Sequence, residues 1–430
     1  MIARLLILPL AVLLCSAAAL ADEAKTLPAP YATKSVIKHP QVIGWPEGKR
    51  PQAPKGFRVE AFTRELENPR WIYLLPNGDV LIAQSRTLPK DEDKEEAEKT
   101  AKEKKAAEGM KKSKTVTGTS PNKITLLRDA DNDGRPEKAE TFLQDLHQPF
   151  GMAVVGDALY VAATDALWKF PYTSGQTRID EDGVNILDLP AGGYNNHWTR
   201  NVVAAKDGAK LYVSVGSASN VAEHGTAEET LRANILEVDL DGGNLRVFAN
   251  GLRNPVGLAF EPVTQKLWTA VNERDELGDE LVPDYLTSVR SGGFYGWPYS
   301  YWGANEDPRW KGKRPDLVKK ALVPDVNLGA HTASLGLAFY TGKAFPQKYR
   351  GGAFVGQRGS WNRSQFAGYR VAFVPFVDGE PSGPPEDFLT GFIADEDRVY
   401  GRPVGVAIAA DGSLLVCDEP GNVVWRVSAE

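Results

Sequence analysis

The chain has 430 residues, room for one large all-β domain or two ordinary ones. Hydrophobic residues make up 42% and charged residues 25%, the balance of a soluble globule. The net charge of −6 excludes a general nucleic-acid binder, because phosphate recognition needs a basic surface.

Residues 1–21 read as a secretory signal peptide. Arg4 supplies the positive end, an apolar run follows, and Ala19-Leu20-Ala21 forms a small-residue cleavage site before Asp22. The run is short for a membrane anchor, so the expected location is the periplasm, with no stable membrane insertion. Cys15 leaves with the signal and Cys417 stands alone, which excludes an internal disulfide in the mature chain. No C-x-x-C-H appears, so no covalently attached haem is expected. Cys417, inside LLVCDE, reads as a small core residue. Residues 22–56 are Pro-rich and predict an extended N-terminal arm.

From residue 57 onward a unit recurs. It has a turn, often with Asn-Pro, then an apolar strand, an Asp-Gly or Asn-Gly type turn and a second apolar strand. The copies fall at 68–84, 148–163, 200–216, 254–272, 334–357 and 402–419, with further strands at 123–129, 235–241 and 369–376. Such strand pairs are hairpins. Six copies of a four-stranded unit predict an all-β fold, a six-bladed β-propeller with four-stranded antiparallel blades spanning 57–430. FRVEAF (57–62) is expected to join the last blade, whose chain ends at VVWRV (423–427), and so remove a sheet edge.

Two insertions and one loop interrupt the pattern. Residues 90–114 are charged, with Glu95/Lys99 and Glu98/Lys102 at favourable four-residue spacing; the segment reads as a solvated helix or loop, or else as a docking surface. Residues 283–330 form an aromatic, Pro/Gly-rich insertion, a place where rigid scaffolds carry function. The stretch 129–140 fits the EF-hand loop pattern through Asp129, Asp131, Asp133, Gly134 and Glu140. Strand-like segments flank it, so an ordinary Asp/Gly turn and a calcium-stapled loop both remain open.

Residues just before each innermost strand of a propeller line one end of its central channel. Here they are His147, Gln148, His197, Arg253, Asn254 and Arg402, with Arg358 and Arg363 entering through QRGSWNR (357–363). An imidazole accepts a proton near neutral pH, and arginines with an amide hold an anionic or carbonyl-rich ligand. Core packing explains none of these residue types.

The motifs GLRNPVGLAF (251–260), NNHWTRN (195–201), NERDELGDELVPDY (272–285) and GGFYGWP (292–298) carry a resemblance to the quinoprotein sugar dehydrogenases of the soluble glucose, aldose sugar and L-sorbosone dehydrogenase type. It runs from about residue 55 to the C-terminus, and GSWNR looks closest to the sorbosone branch. The resemblance implies pyrroloquinoline quinone (PQQ) and calcium as cofactors. It implies that His197 is the catalytic base, taking a sugar hydroxyl proton while hydride passes to the quinone. Arg253 would stabilise charge on the quinone oxygen, Asn254 would hold the cofactor beside it, and Arg402 would bind a cofactor carboxylate. Gln148, or His147, matches a glutamine near the quinone oxygens. Backbone carbonyls of Glu273, Arg274 and Asp275 match the calcium loop, and Asp279 and Glu280 match ligands of a second calcium. Trp198 and Trp297 would flank the ring. The chain departs from the family at three points: Arg358 or Arg363 replaces a lysine, Asn196 replaces an aspartate, and Ser217 replaces the aspartate that orients the imidazole.

The expected activity is oxidation of an aldose or sorbosone-like sugar aldehyde, with an external electron acceptor such as a soluble cytochrome c. The rival readings are a calcium-dependent propeller lactonase and a non-catalytic binding propeller.

Overall fold

The computed structural model describes residues 27–88, 101–116 and 118–430. The expected signal peptide lies outside the described residues, as do Glu95, Lys99 and Glu98. Six four-stranded antiparallel sheets follow one another along the chain. Blade 1 comprises Pro69–Leu74, Val80–Gln84, Lys123–Arg128 and Lys138–Gln144. Blade 2 comprises Gly151–Val155, Ala158–Ala162, Ala166–Pro171 and Val184–Asp188. Blade 3 comprises Arg200–Ala204, Lys210–Val215, Asn234–Asp239 and Arg246–Asn250. Blade 4 comprises Pro255–Phe260, Leu267–Val271, Pro283–Ser288 and Val326–Ala330. Blade 5 comprises Ser334–Phe339, Ala353–Gln357, Arg370–Val374 and Glu386–Leu389. Blade 6 comprises Pro403–Ile408, Leu414–Asp418 and Val423–Ala429, and takes its outer strand from Phe57–Thr63.

That last pairing, Phe57 opposite Ala429 through Thr63 opposite Val424, ties the two ends of the propeller together. The first strands of successive blades touch around a closed ring, which makes the molecule a six-bladed propeller. The recurring x-Gly-x-Ala of these strands has a steric cause. A Cβ at Gly151 would lie 2.4 Å from the Val202 nitrogen of the next blade, one at Gly336 2.2 Å from the Val404 carbonyl oxygen, and one at Gly405 2.6 Å from the Arg70 carbonyl oxygen. Only glycine permits that approach of backbone to backbone. Between blades, apolar strand faces interdigitate; Leu415, Cys417 and Val424 pack on Ile72, Ile82 and Leu127, for example. Cys417 is a free, buried thiol.

The second insertion is shorter than its sequence suggests. Pro283–Ser288 and Val326–Ala330 are regular strands of blade 4, so the inserted part is 289–325. It folds back on the propeller through Tyr295 N–H to Asn250 O (2.9 Å) and Trp297 N–H to Gly251 O (3.0 Å). Within the first insertion, Ala101–Lys112 is an α-helix. Its end turns inward, burying Ser113. Among the described residues no helix is long and apolar enough to cross a membrane.

Candidate active site

His197 sits at the entry to blade 3, half-buried. Its Nδ1 lies 2.8 Å from the Ser217 carbonyl oxygen and 2.9 Å from the Ser217 hydroxyl. A carbonyl can only accept, and the Ser217 hydroxyl already donates its proton to the Ser219 carbonyl at 2.6 Å. Both oxygens therefore accept from the ring, which places a hydrogen on Nδ1 and, in the neutral ring, the lone pair on Nε2. Ser217 N–H in turn donates to the Arg253 carbonyl (2.8 Å), so one residue joins the His197 and Arg253 segments. A Cβ on Gly216 would lie 2.5 Å from His197 Cβ and 2.4 Å from Asn254 Oδ1; glycine lets both side chains meet there. Asn254 Oδ1 is buried with no hydrogen-bond partner among the described residues.

Two guanidinium groups clamp the loop that carries His197. Arg200, fully buried, donates to the carbonyls of His197 (2.6 Å), Thr199 (3.0 Å) and Pro190 (2.6 Å) and to Asn195 Oδ1 (3.0 Å). Arg232 donates to Asn195 Oδ1 (2.7 Å) and to the Gly192 carbonyl (3.1 Å). Burial, and then Arg232, lower the Arg200 pKa to about 9.

The opposite wall gathers arginines from blades 1, 5 and 6. Arg70 Nη1 lies 2.7 Å from Glu419 Oε2, and Arg358 pairs with the same oxygen. Against the upward push of burial, Arg358 and Arg70 hold Glu419 far below the usual carboxylate range. Arg402, buried, donates to the carbonyls of Arg358 (3.0 Å) and Gly359 (2.8 Å). It has no carboxylate at ion-pair distance among the described residues; burial and then Arg358 lower its pKa to about 10. The Arg70 guanidinium lies 5.0 Å from the Trp198 ring centroid, which links this wall to the His197 loop. Two elements outside the blades complete it. Thr115, just past the insertion helix, takes weak hydrogen bonds at 3.3 and 3.4 Å from Arg358 and Arg402. His39, from the N-terminal arm, stacks on Trp361 at 5.4 Å. Burial, then Arg402 and Arg358, lower its pKa to about 4.

Several expected residues are held by protein partners. Arg253 is buried, and its donors meet the Asn220 carbonyl (2.9 Å) and amide oxygen (2.8 Å), the Glu273 carbonyl (2.7 Å) and Asp275 Oδ2 (3.3 Å). It acts as a fixed, paired charge that braces the 273–275 loop. Arg363 points away from the arginine wall, to the Asp279 carbonyl (2.5 Å) and the Glu280 carboxylate. Gln148 donates to the Arg86 carbonyl at 2.7 Å, and His147 pairs with Asp165 at 3.2 Å. Trp198 and Trp297 are both buried; Trp198 donates to Thr87 (2.9 Å) and Trp297 to the Asn220 carbonyl (3.0 Å).

The expected calcium positions fit less well. The Glu273 carbonyl accepts from Arg253, and the Asp275 carbonyl from Arg274 at 2.8 Å. A divalent ion on the same oxygens would sit near each guanidinium, a repulsion on the order of 8 kcal/mol at ~4 Å and an effective dielectric of ~20. Asp279 and Glu280 are closed by Arg363 and Ser364, so a guanidinium stands in place of the second ion. In the 129–140 loop the carboxylates of Asp129, Asp131, Asp133 and Glu137 lie within 4.8 Å of one another. Glu140 instead occupies a strand position opposite Leu126 and pairs with Lys138 at 3.0 Å. Strand pairing removes the twelfth residue of the loop, and the ninth takes its place.

Arg70 Nε and His39 Nε2 on this wall, and Asn254 Oδ1 on the His197 side, are buried without a partner among the described residues. A buried Arg402 with no carboxylate at ion-pair distance among the described residues, beside Arg70 and Arg358 sharing one carboxylate, suits a flat polyanion such as PQQ. The sequence did not single out Arg70, Glu419, His39 or His331. His331 bridges Asp275 (3.2 Å) and the Gly278 carbonyl (2.7 Å). Its signal was its place, just before the inner strand of blade 5.

The profile of a domain of unknown function, DUF7133, matches residues 49–424. An uncharacterized protein of Borreliella burgdorferi is 29% identical over 307 residues, 68% of this chain and 79% of that protein. The aldose sugar dehydrogenase YliI of Escherichia coli is 32% identical over 110 residues, 25% of this chain and 27% of that enzyme. The holo form of the pyranose dehydrogenase PQQ domain from Coprinopsis cinerea superposes with a TM-score of 0.68 at 20% identity, covering 90% of this chain and 99% of that one. At that identity the likeness is one of fold.

Proposed function

We propose, for a chain that belongs to the DUF7133 family, that it is a PQQ-dependent oxidoreductase acting on sugars, an aldose or a sorbosone-like sugar aldehyde. The observation that carries this reading is Arg402, a buried guanidinium with carbonyl partners and no carboxylate at ion-pair distance among the described residues, beside two arginines that share Glu419. Such a wall is built for an anion with several carboxylates. The likeness to sugar dehydrogenases in sequence and in fold points the same way.

When bound, PQQ supplies the two-electron acceptor for hydride from the sugar carbon. The protein's part is proton transfer and orientation. His197 Nε2 takes the hydroxyl proton, while Ser217 holds the ring through Nδ1. Arg200 and Arg232 keep the base loop in place. Arg402, Arg358 and Arg70 would hold the cofactor carboxylates, and Arg253 would supply a fixed positive potential. No step is assigned to calcium at 273–275, where guanidinium groups already occupy the carbonyls. Electrons leave to an external acceptor such as a soluble cytochrome c, in the periplasm if residues 1–21 act as the signal. A lactonase would need a metal held by free channel carboxylates, whereas Glu419 is taken by two guanidinium groups.

The test is reconstitution. With PQQ added, aldoses should reduce an artificial dye. If PQQ alters neither dye reduction nor thermal stability, the reading fails.

A further inference from the structure

Behind Ser217 lies a carboxylate that no motif announces. Glu229 ends a short 3-10 turn, Thr226–Glu229. Its Oε2 accepts the Ala218 N–H at 2.8 Å and its Oε1 accepts the Ser219 hydroxyl at 2.6 Å. Ala218 and Ser219 are fully buried, so no solvent stands ready to replace those acceptors. The same three-residue turn is stitched to the base loop. Ser217 presents two oxygens to His197 Nδ1, its hydroxyl donates to the Ser219 carbonyl at 2.6 Å, and the Ala218 carbonyl accepts the Asn196 N–H at 2.9 Å.

We infer that Glu229 is a positioning residue for His197, holding the 217–219 turn so that Ser217 accepts from Nδ1 and Nε2 keeps its lone pair. The inference rests on His197 being the base of the proposed reaction. Glu229 does not touch His197; it acts through Ser219 and Ala218. Its carboxylate also lies one hydrogen-bonded turn behind a ring that gains positive charge as it takes a proton, where Ser217 itself brings none. A glutamine at 229 keeps one acceptor for the Ala218 N–H, makes the Ser219 hydroxyl turn to accept from its amide group, and replaces two charge-assisted hydrogen bonds with weaker neutral ones, which loosens the turn.

The test reads the ring directly. Nitrogen-15 NMR of the histidines in the full chain without quinone, with His197 assigned by its loss in His197→Gln, reports the tautomer. The wild-type ring should show a protonated Nδ1 and an unprotonated Nε2. In Glu229→Gln that single-tautomer signature should be lost. In the reconstituted enzyme kcat should fall about tenfold, while the sugar KM and the affinity for PQQ stay within about twofold. Ser219→Ala, which removes one bridging hydroxyl, should move both readouts the same way and serves if Glu229→Gln does not fold. An unchanged tautomer in the variants overturns the inference, whatever kcat does. Because the NMR arm needs no quinone, it decides the role of Glu229 even if wild-type protein fails to reduce the dye.

Discussion

Replacing Arg402 with methionine should separate binding of the cofactor from stability of the fold. Burying this guanidinium moves its pKa from 12.5 to about 10, which corresponds to about 3 kcal/mol of folded-state cost at ~1.4 kcal/mol per tenfold change. The charge stays on at pH 7, so the cost is present there. Methionine removes it but forfeits hydrogen bonds to the Arg358 and Gly359 carbonyls, about 1 kcal/mol each. The protein without quinone should thus be unchanged or more stable by about 1 kcal/mol. At ~2 cal/mol/K per residue, a chain of this size shifts its Tm by about 1 °C per kcal/mol. PQQ at about a hundred times its Kd should raise the wild-type Tm by about 3 °C. Removing one partner of a buried charge pair weakens binding by about 2–5 kcal/mol, so the same concentration should move Arg402→Met by less than 1 °C. Differential scanning fluorimetry with and without PQQ makes the comparison. A full shift in the variant, or a fall of several degrees in its Tm without quinone, would refute the reasoning.

Three other outcomes follow from the same geometry. His197→Ala should lower kcat for dye reduction by about 10²–10⁴ and leave the PQQ-induced Tm shift intact; a lost shift would instead make His197 a binding group. Burial raises the Glu273 pKa from 4.5 to about 7, so the folded state holds a proton that the unfolded state releases, and stability falls as pH rises from 4.5 to 7. Glu273→Gln should therefore gain about 3 kcal/mol over wild type at pH 8 and nothing below pH 4.5 in urea denaturation, whereas parallel stability–pH curves would contradict the assignment. Calcium titration by calorimetry should report at most the 129–137 loop: Glu137→Gln should weaken that binding about tenfold and Glu140→Gln should leave it alone, and the reverse order would restore the EF-hand reading.

The architecture was legible because it repeats. Each inner strand carries its own turn, its own apolar alternation and, in four blades, the glycine that lets the next blade approach; these are local signals. His197 and Arg402 were legible for the same reason, since each precedes an inner strand. What completed the site was not local. Glu419 meets Arg70 across 349 residues, and Glu229 reaches His197 only through a turn. Arg363 reads like Arg358 in QRGSWNR, yet Glu280 draws it outward. Glu140 satisfied a spacing rule, but a strand register claimed it. Spacing along one segment cannot weigh competitors that arrive from another.

The arginines also explain why motif-level likeness does not transfer residue by residue. A planar guanidinium presents several donors to carbonyls and carboxylates at once and is more weakly hydrated than an ammonium group. It therefore fills loop centres at lower desolvation cost. Arg253 and Arg274 do so around Asp275 and Glu273, and Arg363 does so between Asp279 and Glu280. With His331 also on Asp275, the acidic loop is neutralised by side chains. Arg402 differs from these arginines in that its guanidinium has no carboxylate at ion-pair distance among the described residues, so it is the point on this wall where an incoming carboxylate gains most.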